Sequence, residues 1–238
     1  MVFGTLFTTD ENSRSIAIKI LAKANNLDLN IIQANLGNAT PEHLAVNKLG
    51  KIPTFVDNDG FILSECTAVA IYIALQDDKT TLFGTGKKDY ASILRWMSFF
   101  NTEVLIPFAG WLRPLLGKEP YEKSSVDKCQ VAALRAVKTV EEFLENRAFL
   151  VGDKFTLADL FCASLLARGF QFFFGTQWRL EHPNVTRWYD HVTDQEIYTA
   201  VVPKQEFLEQ PILQNGAPIA IFVAKFAAEQ VKAVASSG

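Results

Sequence analysis

The segment Gly50–Leu75, GKIPTFVDNDGFILSECTAVAIYIAL, sets the tightest limits on the fold. Pro53 stands at the mouth of an apolar run, Thr54–Val56, too short for a helix and closed by Asp57-Asn58-Asp59-Gly60, a strong turn signal. Phe61–Leu63 returns as a second strand, so a β-hairpin is predicted. Directly after it, Ser64-Glu65-Cys66-Thr67 opens the apolar run Ala68–Leu75, read as a helix. A strand-to-helix junction leaves backbone N–H groups pointing outward, which makes an anion site. A proline ahead of a strand, when its bond is cis, presents the preceding N–H and C=O to solvent, although that isomer is the minority for X–Pro bonds. An anion pocket beside a main-chain docking edge suits a small acidic peptide.

Around this segment the chain changes character once. Val2–Phe7 reads as a strand, and Ile16, Ala17, Ile20, Leu21 and Ala24 recur at helical spacing up to Asn25-Asn26, with Asn12 or Ser13 as N-cap. Leu29–Ala34 alternates as a second strand, and Thr40-Pro41-Glu42 has the cap-then-proline pattern of a short helix. Gln76–Asp89 is rich in charged and turn-forming residues and reads as a linker. From Tyr90 onward the periodicity is helical: Ile93–Phe108, bent or ended near Pro107, then Val126–Arg147, with Cys129, Ala133, Val137, Val140 and Leu144 on one face. Thr156 and Asp159 form a capping box for the next helix. His182-Pro183-Asn184 starts another, containing Trp188, and a last helix is predicted over Ile219–Val234. The expected domains are residues 1–78, a linker at 79–89, helices over 90–202 and a tail at 203–238.

Composition narrows the function. A net charge of −3 gives no field that favours nucleic acid, and 49% hydrophobic content supports a full core. Three cysteines, Cys66, Cys129 and Cys162, have neither CxxC spacing nor an even count, so no metal site is expected. Met1–Thr5 lacks a basic start and a long apolar segment, and Ile219–Ala228 is too short for a bilayer, so a soluble, cytoplasmic protein without a membrane role is expected.

The pairing of Lys51-Ile52-Pro53 with Glu65-Cys66-Thr67-Ala68 resembles the glutathione-binding half of glutathione transferases. Leu94-Arg95-Trp96, Gly152–Asp159 and Phe174-Gly175-Thr176-Gln177-Trp178-Arg179 with His182-Pro183 are similar to the transferase-like domain of translation elongation factor 1 gamma. The resemblance implies an α+β thioredoxin-like N-terminal domain followed by an all-α domain. It also implies a homodimer whose co-substrate is glutathione, without a metal, and whose partners are small electrophiles. The expected reactions are conjugation of the glutathione thiolate and peroxide reduction. The alternative it carries is a non-catalytic subunit that docks an elongation-factor partner.

Residue roles follow from the same resemblance. Ile52, before Pro53, exchanges backbone hydrogen bonds with the cysteinyl unit; Lys51 meets the glycyl carboxylate; Glu65 accepts from the γ-glutamyl amino group; Cys66 meets the γ-glutamyl carboxylate. Cys66 departs from the usual Ser, and a thiol is a weak donor, so weaker binding is expected. The thiol-activating group is sought among Thr8, Thr9, Asn12 and Ser13, with Thr9, Asn12 and Ser13 favoured, because Met1–Asp28 holds neither Tyr nor Cys. Asn12 and Ser13 read equally well as helix caps. Phe100, Phe108, Trp111 and Phe172–Phe174 read as core before they read as an electrophile pocket, and His43 reads as surface or structural.

Overall fold

β1 (Gly4–Thr8), buried at every residue but Thr5, lies inside a four-stranded sheet of order β2-β1-β3-β4. β2 (Leu29–Gln33) runs parallel to β1, while β3 (Thr54–Asp57) and β4 (Ile62–Ser64) complete it antiparallel. The predicted hairpin forms: the Asp57 N–H donates to the Phe61 carbonyl at 2.8 Å, and Gly60 takes a φ of 90° that side-chain-bearing residues rarely adopt. α1 (Ser13–Ala24) buries Ala17, Ile18, Ile20 and Leu21, and α3 (Cys66–Ala74) buries Val69, Ala70 and Ile73. This is the expected thioredoxin-like half. The computed structural model describes residues 2–10, 12–34, 37, 39–216 and 218, so the helix predicted over Ile219–Val234 lies outside the described residues.

Two compact units result. The first gathers the described residues up to Ser98 with Asn146–Ala167 and Arg187–Gln205. Besides the sheet it holds α2 (Pro41–Val46), most of α4 (Lys87–Phe99), the start of α7 (Leu157–Phe172), the end of α9 (Pro183–Thr193) and α10 (Glu196–Thr199). The capping box exists, and its acid does more than cap. Asp159 Oδ2 accepts from the Thr156 N–H and Oγ1, both at 2.9 Å, while Oδ1 accepts from the Leu150 N–H at 2.8 Å and Trp188 Nε1 at 2.9 Å. Burial pushes the Asp159 carboxyl up, and the hydrogen bonds from Leu150, Trp188 and Thr156 pull it the other way.

The second unit comprises Phe99–Glu145, Arg168–Thr186 and the described residues from Glu206. The long helix expected over Ile93–Phe108 is interrupted ahead of Pro107. Phe100–Val104 is a π turn, in which the Leu105 N–H donates to the Phe100 carbonyl, and α5 (Leu105–Leu115) begins beyond it with Pro107 in its first turn. The π turn shifts the hydrogen-bond register just ahead of Pro107, which has no N–H to donate. α6 (Lys123–Phe143) begins three residues before the predicted start because Glu122 caps it, accepting from the Ser124 and Ser125 N–H groups at 2.9 and 2.7 Å. Bonds from Ser125 and Ser124 hold the Glu122 carboxyl down at about 2. This cap therefore contributes fully above the usual value of 4.5 and is lost as pH falls through about 2. We expect Glu122→Gln to melt below wild type at pH 6 and the gap in melting temperature to close towards pH 2.

Beyond α10 the described residues are tied back by hydrogen bonds. Asn215 accepts from Trp111 Nε1 at 2.7 Å, donates to Gln130 Oε1 at 2.6 Å and Asp127 Oδ1 at 3.1 Å, and its carbonyl takes the Tyr121 hydroxyl at 2.6 Å. Arg179 binds the Phe174 and Leu208 carbonyls and lies over the Phe207 ring. The Phe174–His182 motif therefore anchors the segment that follows α10.

Candidate functional site

Sheet register builds the site. Thr54 pairs with Phe7 on one side and with Ser64 on the other. The residues flanking these positions, Thr8-Thr9, Ile52-Pro53 and Glu65-Cys66, therefore leave the sheet at one edge, together with the start of α1. The Ile52–Pro53 bond is cis. Among the described residues no hydrogen bond engages the Ile52 N–H or carbonyl, although the residue is otherwise buried. Lys51 extends an exposed side chain beside it.

Glu65 holds φ at 69° and ψ at 115°, a conformation that costs a non-glycine residue about 1–3 kcal/mol. It precedes α3 without capping it, since its side chain makes no cap hydrogen bond, and it is exposed. The first intrahelical bond there is Val69 N–H to the Glu65 carbonyl, so the preceding N–H groups of α3 have no helical partner. Cys66 is buried, and burial pushes its thiol up while the positive charge of Arg14 pulls it down. A thiol held up in this way is a poor nucleophile at neutral pH.

Opposite lies the start of α1. Asn12 is the N-cap, its Oδ1 accepting from the Arg14 N–H at 3.1 Å, while its Nδ2 stands 3.5 Å from Thr8 Oγ1. Thr8 is fully buried and its hydroxyl lies 2.6 Å from Ser15 Oγ, so it is engaged inside the protein. Ser13 is the first residue of α1 and is buried, whereas Thr9 is half-buried at the rim. Arg14 is the residue that sequence reading missed. Its only signal is its place in the first turn of α1, and its charge matters because the fold sets it near position 66.

Two readings resolve clearly. Phe100, Phe108, Trp111 and Phe172–Phe174 are all buried, with Trp111 and Phe173 stacked at 3.8 Å, so they are core. His43 is structural and not on the surface: it is fully buried and stacks on Phe7 at 4.8 Å. Among the described residues no cluster of three metal-ligating side chains occurs, and no helix is long and apolar enough to cross a membrane.

Comparison with known proteins bears on family and fold. The family model for the glutathione S-transferase N-terminal domain matches residues 3–75, and that for the C-terminal domain matches residues 89–196. Glutathione S-transferase psoE of Aspergillus fumigatus is 50% identical over 219 residues, covering 92% of this chain and 91% of that protein. The solved transferase-like domain of elongation factor 1-gamma from Saccharomyces cerevisiae is 31% identical with a TM-score of 0.75, covering 92% of this chain and 100% of that one. A transferase of Phanerochaete chrysosporium, solved with oxidized glutathione, shares the fold at 22% identity and a TM-score of 0.75, covering 84% of this chain and 93% of that one. The chain belongs to the glutathione S-transferase family.

Proposed function

We propose that the chain is a cytoplasmic, homodimeric transferase that joins the glutathione thiolate to small electrophiles. The observation that carries this reading is the meeting, at one sheet edge, of an unpaired Ile52 main chain, the outward Glu65 carboxylate and the start of α1. Glutathione lies extended against Ile52 and Pro53, its glycyl carboxylate near Lys51. Its γ-glutamyl amino group meets Glu65, and its γ-glutamyl carboxylate faces the Cys66 N–H, with Arg14 adding positive charge. Residues 1–78 carry this peptide, residues 79–89 link, and residues 90–202 supply the helices that receive the electrophile; the tail begins at 203.

Chemistry follows from electrostatics. The thiol loses its proton to water, and the thiolate attacks an electrophilic carbon as the leaving group departs with its electron pair. The positive end of α1, the Thr9 hydroxyl and the Asn12 amide stabilise the anion, with Ser13 at the same helix start. Thr9→Ala and Asn12→Ser, the latter keeping a helix cap, are expected to lower turnover of a chloronitroaromatic substrate by about 10- to 100-fold. The thiolate absorbance of bound glutathione should appear at higher pH in both variants. Full turnover in both removes these residues from catalysis.

The likeness to the elongation-factor domain, across the whole of that domain, favours a second reading: a docking subunit without turnover. Retention on immobilised glutathione with elution by the free peptide supports the first reading. Passage through the column, with capture of an elongation-factor exchange subunit, supports the second.

A further inference from the structure

We propose that His43, Asn47 and Thr54 are positioning residues for glutathione, acting through the Lys51 carbonyl; this rests on the reading that Ile52 docks the peptide. The residues before Ile52 form a loop, and a loop is a poor template for main-chain pairing unless something fixes it. Here the Lys51 carbonyl accepts from Thr54 Oγ1 at 2.8 Å and Asn47 Nδ2 at 3.2 Å, with His43 Nε2 also at 3.2 Å. A carbonyl has two lone pairs, so three donors saturate it.

The same three side chains also bind one another. Thr54 Oγ1 accepts from Asn47 Nδ2 at 2.8 Å and lies 3.2 Å from His43 Nε2. With the Thr54 proton directed to Lys51, Nε2 carries the imidazole hydrogen and Nδ1 is left as a buried acceptor without a partner. The opposite tautomer would bury an unpaired N–H. The ring is held flat on Phe7 of β1, 6° from parallel. Gly50, at φ 57°, closes the loop where an added Cβ would meet the Ala39 Cβ at 2.6 Å. The peptide group between Lys51 and Ile52 is thereby tied to α2 by His43, to β3 by Thr54 and to β1 through Phe7. A planar peptide group pinned at its oxygen is also fixed at its nitrogen, so the direction of the Ile52 N–H is set before any ligand arrives.

This assigns a role to a buried histidine and a buried threonine that never touch the ligand. It also predicts a split that general destabilisation would not give: weaker glutathione binding with an unchanged electrophile KM. Thr54→Val removes the hydroxyl at nearly constant volume, and Thr54→Ser keeps it. Asn47→Ala is the second probe should Thr54→Val fold poorly. Isothermal titration with glutathione, and kinetics with a chloronitroaromatic, are compared for wild type and variants. Thr54→Val and Asn47→Ala are expected to raise the glutathione Kd and KM by about 3- to 10-fold, the range for one lost neutral hydrogen bond. The electrophile KM and kcat should stay at wild-type values, and Thr54→Ser should restore binding. Wild-type glutathione affinity in both Thr54→Val and Asn47→Ala overturns the positioning role while leaving the parent reading intact. So does a parallel rise in both KM values, or failure of Thr54→Ser to rescue. No binding by wild type overturns both.

Discussion

Asp159→Ala is expected to lower the unfolding free energy by about 4 kcal/mol, the largest single loss we anticipate in this chain. One carboxylate serves four donors, from Leu150, Thr156 twice and Trp188, inside a fully buried pocket. Alanine leaves all four without an acceptor and opens a cavity where water has poor access. Against a total stability of roughly 5–15 kcal/mol for an ordinary domain, that loss removes much of the margin. Asp159→Asn separates the causes. Its single oxygen can serve the Thr156 pair or the Leu150–Trp188 pair, while its amide turns two hydrogens toward the donors left over. It should therefore fall closer to alanine than to wild type, despite matching aspartate in size. Urea unfolding followed by tryptophan fluorescence measures both, and an Asp159→Asn variant as stable as wild type would show that the four bonds do not act together.

Glu65 carries the second large effect, in binding. A carboxylate that accepts from a ligand ammonium contributes about 1.5–3 kcal/mol, so Glu65→Gln should weaken glutathione by about 10- to 100-fold. Stability should move little, because the side chain is exposed and makes no cap bond. Glu65→Gly sharpens the case. Glycine accepts a φ of 69° freely, so this variant should melt no lower than Glu65→Gln while binding just as poorly. Strain kept in place for a ligand gives this opposite movement of stability and affinity. Titration calorimetry and thermal melts on the two variants measure it, and full glutathione affinity in Glu65→Gln removes Glu65 from the site.

Legibility from sequence followed the range of the forces involved. The hairpin at Asp57–Phe61, the Thr40 cap with Pro41 behind it, the face of α6 and the Thr156–Asp159 box are local patterns, and each appears in the structure. The early start of α6 was also local, but it rests on a glutamate in a capping role more often filled by shorter side chains. The π turn was not legible. Pro107 marks a disturbance in the helix, but where the extra residue is absorbed depends on what α5 and α6 pack against.

The chain alone determined the order of elements from β1 to α3 and the family, because turn chemistry, hydrophobic period and short motifs act within a few residues of sequence. Tertiary structure decided what His43, Arg14 and the outer oxygen contacts of Asp159 do. His43 reads as surface or structural until Phe7 covers it, and Arg14 is an ordinary helix residue until position 66 is near. Asp159 gains Leu150 and Trp188 only when segments 9 and 29 residues away are folded against it. The reason is physical: burial and electrostatic coupling depend on distance in space, and only the closed sheet and packed helices set those distances.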